Sequence, residues 1–209
     1  MSTITFLNNQ KNASALAARL DRAVEGGRFF HAYLISGGSE ELREQVGLAL
    51  TAAAVCTADA NRPCGRCSGC RKAKADEHPD VVHLRTPKDR RSIPVEAVRA
   101  LKRTIIIKPN EAPRRVILIH RAEELGAAGQ NALLAMLEEP AGDVLFLLLT
   151  EREHSLLETV RSRCTLLRLG AAEETTDHPG DAAAASALSE AFAALRLAKS
   201  TAEIQFFVR

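Results

Sequence analysis

Hydrophobic positions along the chain fall into two alternating patterns. The first is a short, nearly continuous apolar run, which is typical of a strand buried on both faces. Such runs occur at residues 31–36, 81–84, 116–120, 143–150 and 165–169. The second pattern spaces apolar residues three or four positions apart, which predicts helices. It occurs at residues 12–25, 40–55, 95–105, 126–139 and 154–164. Strands that alternate with helices predict a parallel α/β sheet.

Glycine, serine and proline mark the boundaries of some of these elements. The first strand runs into Gly37 and Gly38, so the first unit reads as strand, glycine turn and helix. Ser92 is placed to cap the helix at 95–105, and Pro94 suits the first turn of that helix because its missing N–H group is not needed there.

The composition of the chain changes after Gly170. The segment that follows is polar and contains a Pro-Gly pair, and the next stretch is rich in alanine. This change predicts a core domain over residues 1–170 and a linker over 171–180. Residues 181–209 are expected to form one amphipathic helix and a short apolar tail.

Bulk composition narrows the class of protein only slightly. Hydrophobic residues make up 46% of the chain, enough for a core of ordinary size, and the formal net charge of +2 is uninformative about partners. Aromatic residues make up only 4%, which argues against a surface that stacks single-stranded bases. The sequence has no apolar stretch of about 20 residues, the length of a membrane span, and its first residues do not resemble a signal peptide. A cytoplasmic protein without membrane contact is therefore expected.

A cluster of cysteines interrupts the α/β pattern at residues 56–70. Cys56, Cys64, Cys67 and Cys70 have the spacing C-x7-C-x2-C-x2-C, and the glycines and serine between them allow tight turns. Four thiolates complete the tetrahedral shell that zinc prefers, so the spacing predicts a structural zinc site rather than a catalytic one. A redox pair is the alternative, but it needs only two cysteines and usually opens a helix.

The glycine turn after the first strand stands where a phosphate-binding loop would stand. That loop follows the pattern G-x-x-x-x-G-K-[ST]. Counted from Gly37, the second glycine is replaced by Leu42, the lysine by Arg43 and the hydroxyl residue by Glu44. Leu42 is expected to keep the backbone away from phosphate oxygens, and Glu44 cannot supply the hydroxyl that holds Mg²⁺.

The second nucleotide-binding element is also altered. An acidic pair that holds Mg²⁺ and positions water would be expected directly after the strand at 116–119. His120 and Arg121 occupy those positions. Because the chemistry is lost at two independent places, this chain is not expected to hydrolyse ATP. A plain α/β domain that never bound a nucleotide is the other interpretation.

Several segments considered together carry a resemblance to one family. They are FFHAYLISG at 29–37, the four-cysteine insert, EHPDVVHL at 77–84, NALLAMLEEP at 131–140 and ETVRSRC at 158–164. In this order and spacing they resemble the delta-prime family of bacterial clamp-loader subunits, part of the DNA polymerase III holoenzyme. The resemblance covers residues 12–169.

The resemblance implies an AAA+ fold, with a five-stranded parallel sheet flanked by helices, the zinc module inserted after the first helix, and a helical lid to which residues 181–209 would partly correspond. It implies a subunit that does not hydrolyse ATP and assembles with gamma/tau motor subunits and a delta subunit to load the sliding clamp on primed DNA. Family members continue into an all-helical collar, which a sequence ending at Arg209 is expected to lack.

The family assigns a catalytic role in trans to the arginine of its Ser-Arg-Cys motif. The matching residues are Ser162, Arg163 and Cys164. The resemblance implies that Arg163 reaches ATP bound to a neighbouring subunit, where a guanidinium can offset charge on the γ-phosphate. A surface arginine that satisfies helix carbonyls is the alternative, and Arg161 competes for the same role. Cys164 is expected to pack under the loop.

Two other functions remain open from the sequence. An ATP-hydrolysing motor subunit of the gamma/tau type would share the zinc insert and the Ser-Arg-Cys motif, but the altered phosphate loop argues against it. A zinc-knuckle nucleic-acid-binding protein would place basic and aromatic residues around the knuckle. The segment supplies basic residues without aromatic ones: Arg62, Arg66, Arg71, Lys72 and Lys74. This run is interpreted as a solvated face.

Overall fold

Five parallel strands form the sheet of this protein in a computed structural model, which describes residues 24, 29–59, 62–140 and 143–169. The strands are β1 (Ala32–Gly37), β2 (Val81–Leu84), β3 (Arg115–Ile119), β4 (Val144–Thr150) and β5 (Thr165–Leu169). Their order across the sheet is β2-β3-β4-β1-β5, and every neighbouring pair is parallel. The predicted five-stranded parallel α/β fold is therefore confirmed.

The strands are linked by helices of unequal length. They are α1 (Glu40–Val55), α2 (Ser68–Lys74), α3 (Val95–Ile106), α4 (Ala127–Glu138) and α5 (Glu158–Arg161), with 3-10 turns at Ala122–Glu124 and Glu153–Ser155. The expected helix at 154–164 is thus a 3-10 turn followed by a single helical turn. The short α2, inside the cysteine-rich segment, was not predicted, because seven residues give too little periodicity to detect.

The start of α3 differs from the expectation. Pro94 has the extended backbone of a capping position, with φ of −62° and ψ of 137°, and α3 begins one residue later. No side chain caps this end of the helix, so the assignment of Ser92 as its cap was wrong. Proline tolerates this position because it has no N–H group to satisfy.

The core lies around the central strands β3, β4 and β1. All seven residues of β4 are buried, and so are all five residues of β3. Leu133 and Leu137 of α4 are buried against this sheet, and Leu134 packs at its margin. Burying each leucine side chain contributes about 1.5–3 kcal/mol, so the aliphatic strands dominate the folding stability.

Several sequence predictions fall outside the residues that the structure describes. They are the first helix at 12–25 apart from Val24, the linker at 171–180, and the partial lid and tail at 181–209. Among the described residues, no helix is long and apolar enough to cross a membrane.

Candidate functional site

The four cysteines of the insert converge on one point. Cys56 follows the last residue of α1, Cys67 caps the start of α2, and Cys70 lies in its first turn. The four Sγ atoms all lie within 4.8 Å of one another, and those of Cys56 and Cys67 are 3.9 Å apart. Tetrahedral zinc with Zn–S bonds of about 2.3 Å places its sulfurs about 3.8 Å apart. The cluster therefore has the donor set and the spacing of a four-cysteine metal site.

Backbone N–H groups around the cluster stabilise its thiolates. The N–H of Cys67 donates to the sulfur of Cys64, and the N–H of Cys70 donates to the sulfur of Cys67. Both N···S distances are 3.4 Å. Burial raises the pKa of the Cys67 thiol, but hydrogen bonds from the backbone of Cys70 and Thr57 and from the side chains of Cys70 and Cys64 together outweigh burial and bring this pKa to about 6. Burial raises the pKa of Cys70. A divalent cation would offset that penalty, since coordination deprotonates thiols.

A buried histidine and a buried aspartate order the loop between the insert and β2, and a glycine of the insert packs closely on α1. Gly69 approaches α1 so closely that a Cβ atom would lie 2.4 Å from the carbonyl oxygen of Val55, so only glycine fits there. His78 is buried nearby, and its Nδ1 accepts the N–H of Asp80, which makes it a loop residue rather than a cysteine-cluster ligand. Asp80 in turn accepts backbone N–H groups from the loop at 110–112 and lies 3.4 Å from Arg115.

A guanidinium occupies the turn where a phosphate loop would bind its anion. Arg43 is only 6% exposed, and its Nη1 donates to the carbonyl oxygens of Gly37 (3.0 Å) and Gly38 (2.6 Å). Gly37 has a φ of +78°, and a Cβ there would lie 2.6 Å from the carbonyl oxygen of Leu169 on β5. The guanidinium therefore fills the inside of the turn and is already paired with two carbonyl oxygens of that turn.

The residues at the expected Mg²⁺ positions bind each other. Oε1 of Glu44 lies 2.6 Å from Nδ1 of His120, and Nε2 of that ring lies 3.0 Å from Nδ1 of His83. Nε2 of His83 lies 2.6 Å from Asp76. These four side chains form a hydrogen-bonded row, Glu44–His120–His83–Asp76. The row joins α1 to β3, β2 and the turn after α2. Burial lowers the pKa of His83, and Asp76 acts in the opposite direction.

An open cleft of about 390 Å³ lies beside this hydrogen-bonded row. Its lining residues are Glu40, Glu44, Arg85, Thr86, His120, Arg121 and Glu124. Glu124 accepts a hydrogen bond from Thr86 and pairs with Arg121 at 2.9 Å. Three carboxylates and two guanidiniums line the cleft, so the lining does not carry the net positive charge that attracts a triphosphate.

Arg163 lies in the loop between α5 and β5. Its Nη2 lies 2.6 Å from Oε1 of Glu138, the last residue of α4, and its Nη1 donates to the carbonyl oxygen of Thr159 at 2.8 Å. Its neighbour Ser162 bonds to the same carbonyl at 3.2 Å. Arg161, the competing candidate, instead lies 3.2 Å from His154.

Cys164 is separate from the cysteine cluster. It packs against the hydrophobic core beneath the Arg163 loop, as expected, and burial raises its pKa to about 12. The thiol is protonated at neutral pH and lies outside the group of four cysteines that could hold a metal ion.

Comparison with known proteins identifies the family of this chain. The family described as "DNA polymerase III, delta subunit" matches residues 12–173. The chain belongs to this family. Similar curated members include the DNA polymerase III subunit delta' of Haemophilus influenzae, 35% identical over 69% of this chain and 44% of the relative. The subunit delta' of Bacillus subtilis is 32% identical over 71% and 44%. The chain thus spans less than half the length of these relatives.

A solved structure supports the same fold. That solved structure is of a DNA polymerase III, gamma subunit-related protein from Thermotoga maritima. It superposes on this chain with a TM-score of 0.56 at 23% identity. The match covers 75% of this chain and 46% of the other. The parallel sheet with its flanking helices is therefore shared between this delta' homologue and a gamma-related protein.

Sequence patterns located some of these contacts but not their partners. The cysteine spacing identified all four members of the cluster, the altered loop singled out Arg43 and Glu44, and the altered end of the third strand singled out His120. None of these patterns indicated that His83 and Asp76 would complete the hydrogen-bonded row. The alternation of β2 places His83 on one face of the sheet, which is the only local signal for its part in this contact.

Proposed function

We propose that this chain acts as a delta-prime-type subunit of the bacterial replicative clamp loader and does not itself hydrolyse ATP. In this role it assembles in the cytoplasm with gamma/tau motor subunits and a delta subunit, and the complex loads the sliding clamp on primed DNA. Family membership and the delta' relatives support the role, and the altered phosphate loop supports the lack of hydrolysis.

The observation that carries the non-hydrolysing role is the position of Arg43. Its guanidinium already bonds the carbonyl oxygens of Gly37 and Gly38, so a triphosphate would have to displace a buried ion with two charge-assisted hydrogen bonds. ATP hydrolysis also requires residues that hold Mg²⁺. Glu44 and His120 pair with each other, so neither is free to do so.

Arg163 is the residue proposed to act on ATP, in trans. It is 35% exposed at the side chain, lies on a loop that follows a short helix, and carries a charge fixed by two partners. A guanidinium presented in this way can donate to the γ-phosphate of ATP on an adjacent subunit and stabilise charge in the transition state. Ser162 is proposed to support the loop, since its hydroxyl bonds the same carbonyl as Arg163.

A structural Zn²⁺ ion is proposed for the cluster of Cys56, Cys64, Cys67 and Cys70. The sulfur spacing supports four-coordinate binding, and a shell of four protein ligands leaves no position for a reacting water. Zinc there would hold the end of α1 against the start of α2. It would supply stability to the insert rather than chemistry to the reaction.

The test of the proposal measures nucleotide binding and stimulation separately. Isothermal titration of the chain with ATP and Mg²⁺ should give no binding at concentrations that saturate the motor subunit, which serves as the positive control. The reconstituted complex should hydrolyse ATP when clamp and primed DNA are added, and Arg163→Ala should lower its kcat by about 10³-fold or more. ATP hydrolysis by the isolated chain would contradict the proposal.

A further inference from the structure

The carboxylate that meets Arg163 sits at an unfavourable end of its helix. Glu138 is the last residue of α4, next to Glu139, and the last turn of α4 contains no basic residue. The C-terminus of a helix carries partial negative charge, so an acidic side chain there is disfavoured unless a cation from elsewhere compensates it. Arg163 is that cation, at 2.6 Å from Oε1 of Glu138.

The contacts of Arg163 leave part of its guanidinium available. The side chain has five N–H donors. Nη2 lies against Glu138, and Nη1 donates to Thr159 and lies 3.5 Å from Ser162. Among the described residues, no acceptor is assigned to Nε. The guanidinium can therefore keep Glu138 as a partner and still donate to an anion.

We propose that Glu138 is the positioning residue that holds Arg163 ready to act on the nucleotide of a neighbouring subunit. The inference rests on the proposed role of Arg163. Two contacts on opposite nitrogens restrict the rotation of a long side chain that would otherwise sample many rotamers. Fixing it in advance reduces the entropy lost when it reaches the γ-phosphate, so the contact acts on turnover.

The exposure of the pair separates this role from a structural one. Glu138 is 49% exposed and Arg163 35% exposed at the side chain, so the pair contributes little to folding stability. Loss of the carboxylate should change kcat while the melting temperature and the KM for ATP stay the same. Glu139 offers a matched control, because it is an adjacent acid with no ion pair among the described residues.

The experiment compares four variants in the complex reconstituted from this chain and its motor and delta subunits. Glu138→Gln should lower the clamp- and DNA-stimulated kcat about fivefold to tenfold with unchanged KM, and Glu139→Gln should match the wild type. Arg163→Ala should lose most of the stimulation. The double variant should match Arg163→Ala alone, because Glu138 acts only through that arginine.

The four variants separate the positioning role of Glu138 from the role of Arg163. If Glu138→Gln behaves as the wild type while Arg163→Ala fails, the positioning role is overturned and the arginine keeps its proposed role. If Arg163→Ala also has no effect, both are overturned. A further loss from Glu138→Gln in the Arg163→Ala background would show a general structural effect and overturn the inference.

A second measurement needs only this chain. Rotation about the Cζ–Nε bond of Arg163, followed by ¹⁵N and ¹³C NMR, should be slow in the wild type and in Glu139→Gln. It should be faster in Glu138→Gln, because the carboxylate no longer restrains the guanidinium. Equal rotation rates in all three proteins would overturn the inference even without an assembled complex.

Discussion

Nδ1 of His83 and Nε2 of His120 lie 3.0 Å apart, with the two rings stacked at a centroid distance of 5.2 Å. The pair joins β2 to β3, and its outer nitrogens lie against Asp76 and Glu44. Each of these four side chains therefore has a partner elsewhere in the same chain. Together they connect α1, the sheet and the turn that follows α2.

Loss of the central ring should therefore weaken the fold. His120→Ala leaves Glu44 and His83 without their partner and removes a residue that is 5% exposed. We expect the free energy of unfolding to fall by about 1–3 kcal/mol, the cost of leaving partly buried polar groups unpaired. Urea denaturation at neutral pH measures it. His154→Ala, at a side chain that is 81% exposed, is the control and should change stability by less than about 0.5 kcal/mol. Equal losses from both variants would contradict the structural role.

The carboxylate of Asp80 should make stability depend on acid. Burial raises its pKa, but the backbone N–H groups of Asn110, Glu111 and Ala112, with Arg115, hold the pKa below the usual range. A depressed pKa gives stability that is present above the unfolded value of about 3.9 and is lost as pH falls through the folded value.

Asp80→Asn should therefore lower the unfolding free energy by about 3 kcal/mol at pH 7, because it leaves the buried Arg115 without its counter-charge. The difference from the wild type should shrink as the pH falls below about 4. Urea midpoints between pH 7 and pH 3 measure this, with the exposed Asp89→Asn as control. A difference that does not change with pH would rule out the carboxylate as its source.

Metal content should follow the cluster and not the fifth cysteine. Purified protein should contain about one zinc ion per chain, and Cys67→Ser should lose it because a hydroxyl is a poor zinc ligand. Cys164→Ser, outside the cluster, should keep the metal. Elemental analysis gives the content, and a chelator should lower the melting temperature of the wild type. Metal-free protein that melts normally would refute the assignment.

Removal of Arg43 should cost stability without creating a nucleotide site. Arg43→Ala leaves the carbonyl oxygens of Gly37 and Gly38 without their donor, which should cost about 1–3 kcal/mol. Leu42 and Glu44 still oppose phosphate binding, so calorimetry with ATP should remain flat. The exposed Arg99→Ala is the control. Tight ATP binding by Arg43→Ala would show that this arginine alone closes the loop.

The pattern of apolar residues determined those helices and strands whose burial depends only on residues close together in the sequence. The limits of α1 at residues 40–55 and of β2 at 81–84 agree with the apolar periodicity, because burial of one helix face or of a whole strand is written into consecutive residues. The cysteine spacing likewise identified the four thiols that converge, since each C-x2-C pair places two thiols on one tight turn. The sequence located short elements and helix starts less well, as the single turn of α5 and the uncapped start of α3 show.

Tertiary structure alone decided which polar side chains meet. His83 and His120 are 37 positions apart, and Glu138 and Arg163 are 25 positions apart, so no local pattern could pair them. Parallel pairing of β2 with β3 brings the two histidines together, and the return of the chain after α5 brings Arg163 to the end of α4. Hydrogen bonds and ion pairs depend on distances of a few ångströms, which only the packed sheet and helices fix.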